Sequence, residues 1–121
     1  MKESIIKEKS LKFAVRMVKL YQFFIEEKNE FVMSKQLLRC GTSIGANIRE
    51  GDYAESKSDF IHKFSIAQKE CNETIYWIEL LYMSNYLSKT EYESINKDTI
   101  ELMKLLTSII KTAKKSLTIN H

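Results

Sequence analysis

Asp59 and His62 stand three residues apart. That spacing puts both on one face of a helix and offers a carboxylate–imidazole pair for general acid–base work. No nucleophile accompanies them, and the second histidine, His121, belongs to the tail; surface chance explains the pair better than catalysis. Glu70 and Glu73 share a face too. A di-metal centre in a helical bundle needs Glu-x-x-His pairs from two helices, and the sequence has none. Cys40 and Cys71 follow no Cys-x-x-Cys or Cys/His spacing. They lie on small or apolar faces, where a reduced thiol behaves as a small buried hydrophobe. Gly41, Gly45 and Gly51 match neither a phosphate loop nor a dinucleotide fingerprint. The expectation is a chain that is not an enzyme and takes no cofactor and no metal.

What remains is charge. The net charge is +3, but its distribution is uneven. Residues 1–25 carry six basic and two acidic side chains, and residues 102–121 carry four basic and no acidic ones. The stretch between is acidic, with nine bases against fourteen acids. Lys7, Lys9, Lys12, Lys111, Lys114 and Lys115 are the candidates for contact with nucleic-acid phosphates. Helix dipoles account for acids at the start of the last segment and lysines at its end. They do not account for the first segment, where lysines stand at the positive end and Glu26 and Glu27 at the negative end. Aromatic residues point elsewhere: Phe13, Phe23, Phe24, Phe60, Phe64 and Trp77 suit core or interface positions, and Tyr53 alone is expected exposed near the basic end.

The elements that must carry these residues are few and long. The chain has 121 residues, three glycines and no proline, so it lacks the punctuation of a turn-rich fold. Helical periodicity marks four segments, at about 4–28, 34–51, 57–87 and 90–117. Ser34 and either Ser56 or Ser58 read as N-caps, Gly51 as the residue just past a helix, and Thr90-Glu91-Tyr92-Glu93 as a capping box. Short connections force neighbours to run antiparallel, giving one all-α domain, an up-down-up-down four-helix bundle. The first segment has two apolar seams, Leu11, Ala14, Val18, Tyr21, Ile25 and Phe13, Met17, Leu20, Phe24. That exceeds what one side of a lone bundle buries. No apolar run approaches the ~20 residues that span a bilayer, and Lys7, Glu8 and Lys9 interrupt any signal-like N-terminus. A cytoplasmic protein without membrane insertion is expected.

All three glycines fall within QLLRCGTSIGANIREG, residues 36–51. Leu37, Gly41, Ile44 and Ile48 make one helical stripe, flanked by Cys40, Ser43 and Asn47. Glycine inside a helix costs roughly 0.5–1 kcal/mol relative to alanine. Gly41 and Gly45, one turn apart, therefore imply that another backbone comes close. Arg39, Asn47, Glu50, Lys63, Glu70 and Glu73 surround this small-residue region as polar candidates for fixing an oligomer interface.

That stretch, together with DFIHKFSIAQKECNETIYWIELL at residues 59–81, resembles the bacterial four-helix-bundle proteins named after reading frames in intervening sequences of 23S rRNA genes. The chain is also similar, more distantly, to the accessory protein of diversity-generating retroelements. The resemblance runs nearly the whole length, with Cys40 standing where serine is expected. It implies a homo-oligomeric ring, a pentamer. For the retroelement relatives it further implies a positively charged barrel that binds nucleic acid and a reverse transcriptase. For the intervening-sequence members it carries no settled activity.

Three readings follow. The first is an oligomeric scaffold that binds RNA or DNA through a basic end. The second is an oligomeric protein-interaction scaffold without nucleic acid. The third, the weakest, is a surface binder of anionic membranes through the first helix.

Overall fold

The computed structural model describes residues 2–119. Four helices close around one apolar core: α1 (Lys2–Phe23), α2 (Met33–Asp52), α3 (Lys57–Met83) and α4 (Lys89–Ile119). Each packs against its neighbour in sequence, and α4 returns to pack on α1. This is the up-down-up-down bundle expected from the short connections. The core runs from Ile6, Phe13, Met17 and Phe24 of α1 to Leu102, Leu106 and Ile109 of α4, through α2 and α3 stripes that include Ile44, Ile48, Phe64 and Ile78. Of the two seams of α1, the one carrying Phe13, Met17 and Phe24 faces inward. Leu11 and Val18 of the other seam stay exposed, as does Val15 between them.

With no proline and no glycine at positive φ, asparagine turns the chain. A π-helical turn, Phe24–Lys28, extends α1 and ends at Asn29, whose φ is 51°. Asn85, at φ 68°, does the same after α3, where Tyr86 N–H donates to the Leu81 carbonyl at 2.8 Å. Asparagine tolerates this left-handed backbone better than other residues with a side chain.

The caps differ from expectation at three helix ends. Ser34 is not the N-cap of α2. The buried Glu30 carboxylate reaches forward instead and accepts from the backbone N–H groups of Val32, Met33 and Ser34 at 3.1, 2.7 and 2.9 Å. Ser34 donates its hydroxyl to the Glu30 carbonyl at 2.8 Å. Burial alone would raise the Glu30 pKa, but these hydrogen bonds outweigh it and lower it below 4.5. Nor is Gly51 a terminator: it lies inside α2, buried. The capping box of α4 sits two residues earlier than Thr90–Glu93. Ser88 Oγ accepts from Glu91 N–H at 3.1 Å, and Ser88 N–H donates to Glu91 Oε1 at 2.8 Å. Ser56 caps α3 as one of the two serines expected, accepting from Asp59 N–H at 3.0 Å.

Each glycine of α2 lies close against a neighbour, and at Gly41 and Gly51 a methyl group would overlap it. A Cβ at Gly41 would stand 2.6 Å from Met17 Cγ, and one at Gly45 would stand 3.3 Å from the Ser10 carbonyl oxygen of α1. At Gly51 it would stand 2.6 Å from the Phe64 ring, which is itself stacked on Phe60 at 4.2 Å between centroids. Alanine gains ~0.5–1 kcal/mol of helix propensity, against about 1–3 kcal/mol for overpacking a core. At Gly51 the obstacle is a ring held by another ring, so overpacking should win. Gly51→Ala is expected to lower stability by about 1 kcal/mol or more in urea unfolding at unchanged m-value.

Candidate nucleic-acid interface

Opposed helix directions bring the first turn of α1 and the last turns of α4 to one end, where Lys2 Nζ donates to Ser108 Oγ. The α1 candidates are balanced there by acids. Lys7 lies 3.0 Å from Asp52, Lys9 2.8 Å from Glu101, and Lys12 3.0 Å from Glu8. The hydrogen bond from Lys9 holds Glu101 below the ordinary carboxylate pKa, and the same bond raises that of Lys9. Arg16 is likewise engaged, by Asp98 at 2.6 Å and by Ser94. The seam between α1 and α4 is therefore bridged by ion pairs and carries little free positive charge.

Lys111, Lys114 and Lys115 differ. All three are exposed on the outer face of α4. Lys97 and Lys104, which were not among the sequence candidates, are exposed on the same face. Lys97, Lys104 and Lys111 recur every seven residues, a period that drifts only ~20° per step around a helix. Lys115 follows one turn later and Lys114 flanks the row. Among the described residues, none of these five lysines has a carboxylate within 4.0 Å. The array is a property of one helix face and not of either end of the bundle.

The polar candidates around the glycines pair with one another across α2 and α3. Arg39 reaches Glu70 at 3.2 Å and also binds Glu73, while Gln36 Oε1 accepts from its Nε at 3.3 Å. Glu73 accepts from Trp77 Nε1–H at 3.0 Å. That hydrogen bond, and then the one from Arg39, holds Glu73 below the ordinary carboxylate pKa. Asn47 donates to the Ser43 carbonyl within α2 at 2.9 Å, and Glu50 lies 3.5 Å from Lys63. Gly41 and Gly45 face α1 rather than this polar surface.

Cys40 and Cys71 are free and buried. Burial pushes their pKa values up to about 11 and about 12, so neither is poised as a nucleophile. His62 is exposed on α3. No group of three or more His, Cys, Asp or Glu side chains is disposed to hold a metal among the described residues. No described helix is long and apolar enough to cross a membrane.

The family model of the 23S rRNA-intervening sequence protein matches residues 2–108, so the chain belongs to that family. The chain is also similar to a protein of unknown function from the S23 ribosomal protein family of Bacteroides thetaiotaomicron, whose crystal structure was solved at 1.70 Å. The two are 60% identical, with a TM-score of 0.91 over 92% of this chain and 99% of the other. No curated protein matches the chain.

The Arg39–Glu73–Trp77 cluster contains the chain's one tryptophan and supplies a pH test. Because the folded Glu73 has a lowered pKa, its contribution to stability is present above the unfolded value and is lost as pH falls through the folded one. Trp77 fluorescence should change with a midpoint below 4.5, the ordinary value. Glu73→Gln should abolish that step; an identical step in the variant would show that another group causes it.

Proposed function

We propose that this member of the 23S rRNA-intervening sequence protein family is a non-enzymatic, oligomeric scaffold that binds nucleic acid through the lysines of α4. The observation that carries the reading is the contrast between the two basic segments. Every α1 candidate lies against a carboxylate, whereas Lys97, Lys104, Lys111, Lys114 and Lys115 extend from α4 unbalanced. Mobile ammonium groups on a rigid rod match a phosphate backbone, which binds by charge and counterion release and needs no fixed geometry. A row of this kind reads no base edges, so the reading implies sequence-independent contact.

Oligomerisation is supported by the outward seam of α1. Leu11, Val15 and Val18 are 53%, 47% and 43% exposed and lie on one stripe. Beside them runs a groove lined by Ser10, Leu11, Ala14, Thr42, Gly45, Ala46 and Arg49. An apolar stripe beside a small-residue groove is the kind of surface that copies of one chain bury against each other. A ring of parallel subunits, five in the family resemblance, would repeat the α4 array around the assembly and multiply a modest field. The resemblance to the retroelement accessory protein adds a protein partner such as a reverse transcriptase to this proposal.

A second reading, a protein-interaction scaffold without nucleic acid, is favoured by the opposite end of the bundle. Phe31, Val32 and Met83 stand exposed there, on or beside the connections after α1 and α3.

Two outcomes are expected. Leu11→Glu with Val18→Glu should reduce the native mass to that of one chain, 14.2 kDa, with helicity kept because neither side chain is in the core. In filter binding to rRNA fragments across a salt series, wild-type affinity should fall steeply. Each α4 lysine changed to glutamine should flatten the log–log slope by about 0.7–0.9. Salt-insensitive capture of a single protein with no nucleic acid would favour the second reading.

A further inference from the structure

Resting on the reading of α4 as the contact surface, we infer that the nucleic acid this row takes is a double helix, held along its phosphate backbone, rather than a single strand. The row is straight and stiff. Lys97, Lys104 and Lys111 fall within one narrow sector of an uninterrupted 31-residue helix, ~10 Å apart along its axis, and Lys115 extends the row to ~27 Å. Two acids lie on or near the same sector, and both are engaged. Glu93 lies 3.9 Å from Lys89, and Glu101 lies 2.8 Å from Lys9.

The row also lacks what a single strand needs. Proteins that hold single strands add aromatic platforms, worth ~1–3 kcal/mol per stacked base, to a cationic groove. The one aromatic residue of α4 is Tyr92, and its ring is stacked on Tyr82 at 4.3 Å between centroids. The most exposed rings of the chain, Phe31, Tyr53 and Tyr76, stand on two connections and on α3. A flexible strand laid along α4 would lose conformational freedom with no stacking to offset it. A duplex arrives already ordered and carries one charge per ~1.7 Å of axis, so a stiff cationic row meets a matching stiff anionic one. The chemistry recognised is the helical phosphate backbone, common to RNA and DNA duplexes.

The test uses the full chain and three probes of one sequence: a blunt RNA duplex of about 20 base pairs, the matching DNA duplex, and an unstructured single RNA strand of equal length. Anisotropy titrations at one salt concentration compare the wild type with a Lys97→Gln/Lys104→Gln/Lys111→Gln variant and with Tyr76→Ala. Because the lysines are exposed and unpaired, the triple variant should keep its helicity, checked by circular dichroism. The inference expects both duplexes, or one of them, to bind about tenfold or more tightly than the single strand. It also expects the triple variant to lose most of that binding and Tyr76→Ala to lose none. A preference between RNA and DNA would identify the natural source of the duplex. A single strand that binds as well as either duplex, or single-strand binding that depends on Tyr76, overturns the duplex inference while leaving α4 as the contact surface. Binding that the triple variant leaves unchanged, or no binding at all, overturns the α4 reading itself.

Discussion

The architecture depends on side chains missing from one helix. Along α2, Gly41 makes room for Met17, Gly45 admits the Ser10 backbone of α1, and Gly51 receives the Phe64 ring of α3. Helices that approach this closely gain dispersion contacts along their length, and those contacts offset the propensity lost at glycine. Cys40, Cys71 and Thr74 continue the same small, buried layer, with the Thr74 hydroxyl 3.3 Å from the Cys40 sulfur. Because α2 is narrow, α1 and α3 both close upon it. The inward seam of α1 then suffices for the core, and the second seam is left facing outward.

That arrangement divides the chain's positive charge. α1 lies along α4, and its Arg16, Lys9 and Lys7 are set against Asp98, Glu101 and, across the end of α2, Asp52. Exposed ion pairs of this kind add little to stability because solvent screens them. Their larger consequence is cancellation of local field. No neighbouring helix covers the outer face of α4, and its own two acids there, Glu93 and Glu101, lie against Lys89 and Lys9. The five lysines therefore keep no carboxylate within 4.0 Å among the described residues. The asymmetry comes from bundle topology, and net charge alone does not reveal it.

The large features were legible in the sequence, and the local ones less so. Four helices and their antiparallel order follow from period and connection length. Which seam of α1 turns inward does not: both are apolar at helical spacing, and only packing buries Phe13 and Met17 while leaving Leu11 and Val18 outside. The notches are visible at Gly41 and Gly45, whose spacing holds the apolar phase. Gly51 has the type of a terminator, since glycine just past a helix is the commoner case, and only the Phe64 ring explains its place inside α2. Ser34 and Thr90 look like caps by residue type. Glu30 and Ser88 took those roles because tertiary burial and the actual start of each turn decide which side chain reaches the free N–H groups. Asn29 and Asn85 gave no pattern beyond their type. Lys97 and Lys104 do not stand out in the charge along the chain, because the face they share with Lys111 exists only on a wound helix.

Whether the missing side chains govern the packing is best measured by a double-mutant cycle between Gly41 and Met17. Urea unfolding would compare Gly41→Ala in the native background and in Met17→Ala. Close approach predicts that alanine at 41 destabilises the native background and becomes neutral or stabilising once Met17 is shortened, a coupling of about 1 kcal/mol or more. The same change in stability in both backgrounds would mean that Gly41 faces open space, contradicting the packing on which the fold and its outward surfaces rest.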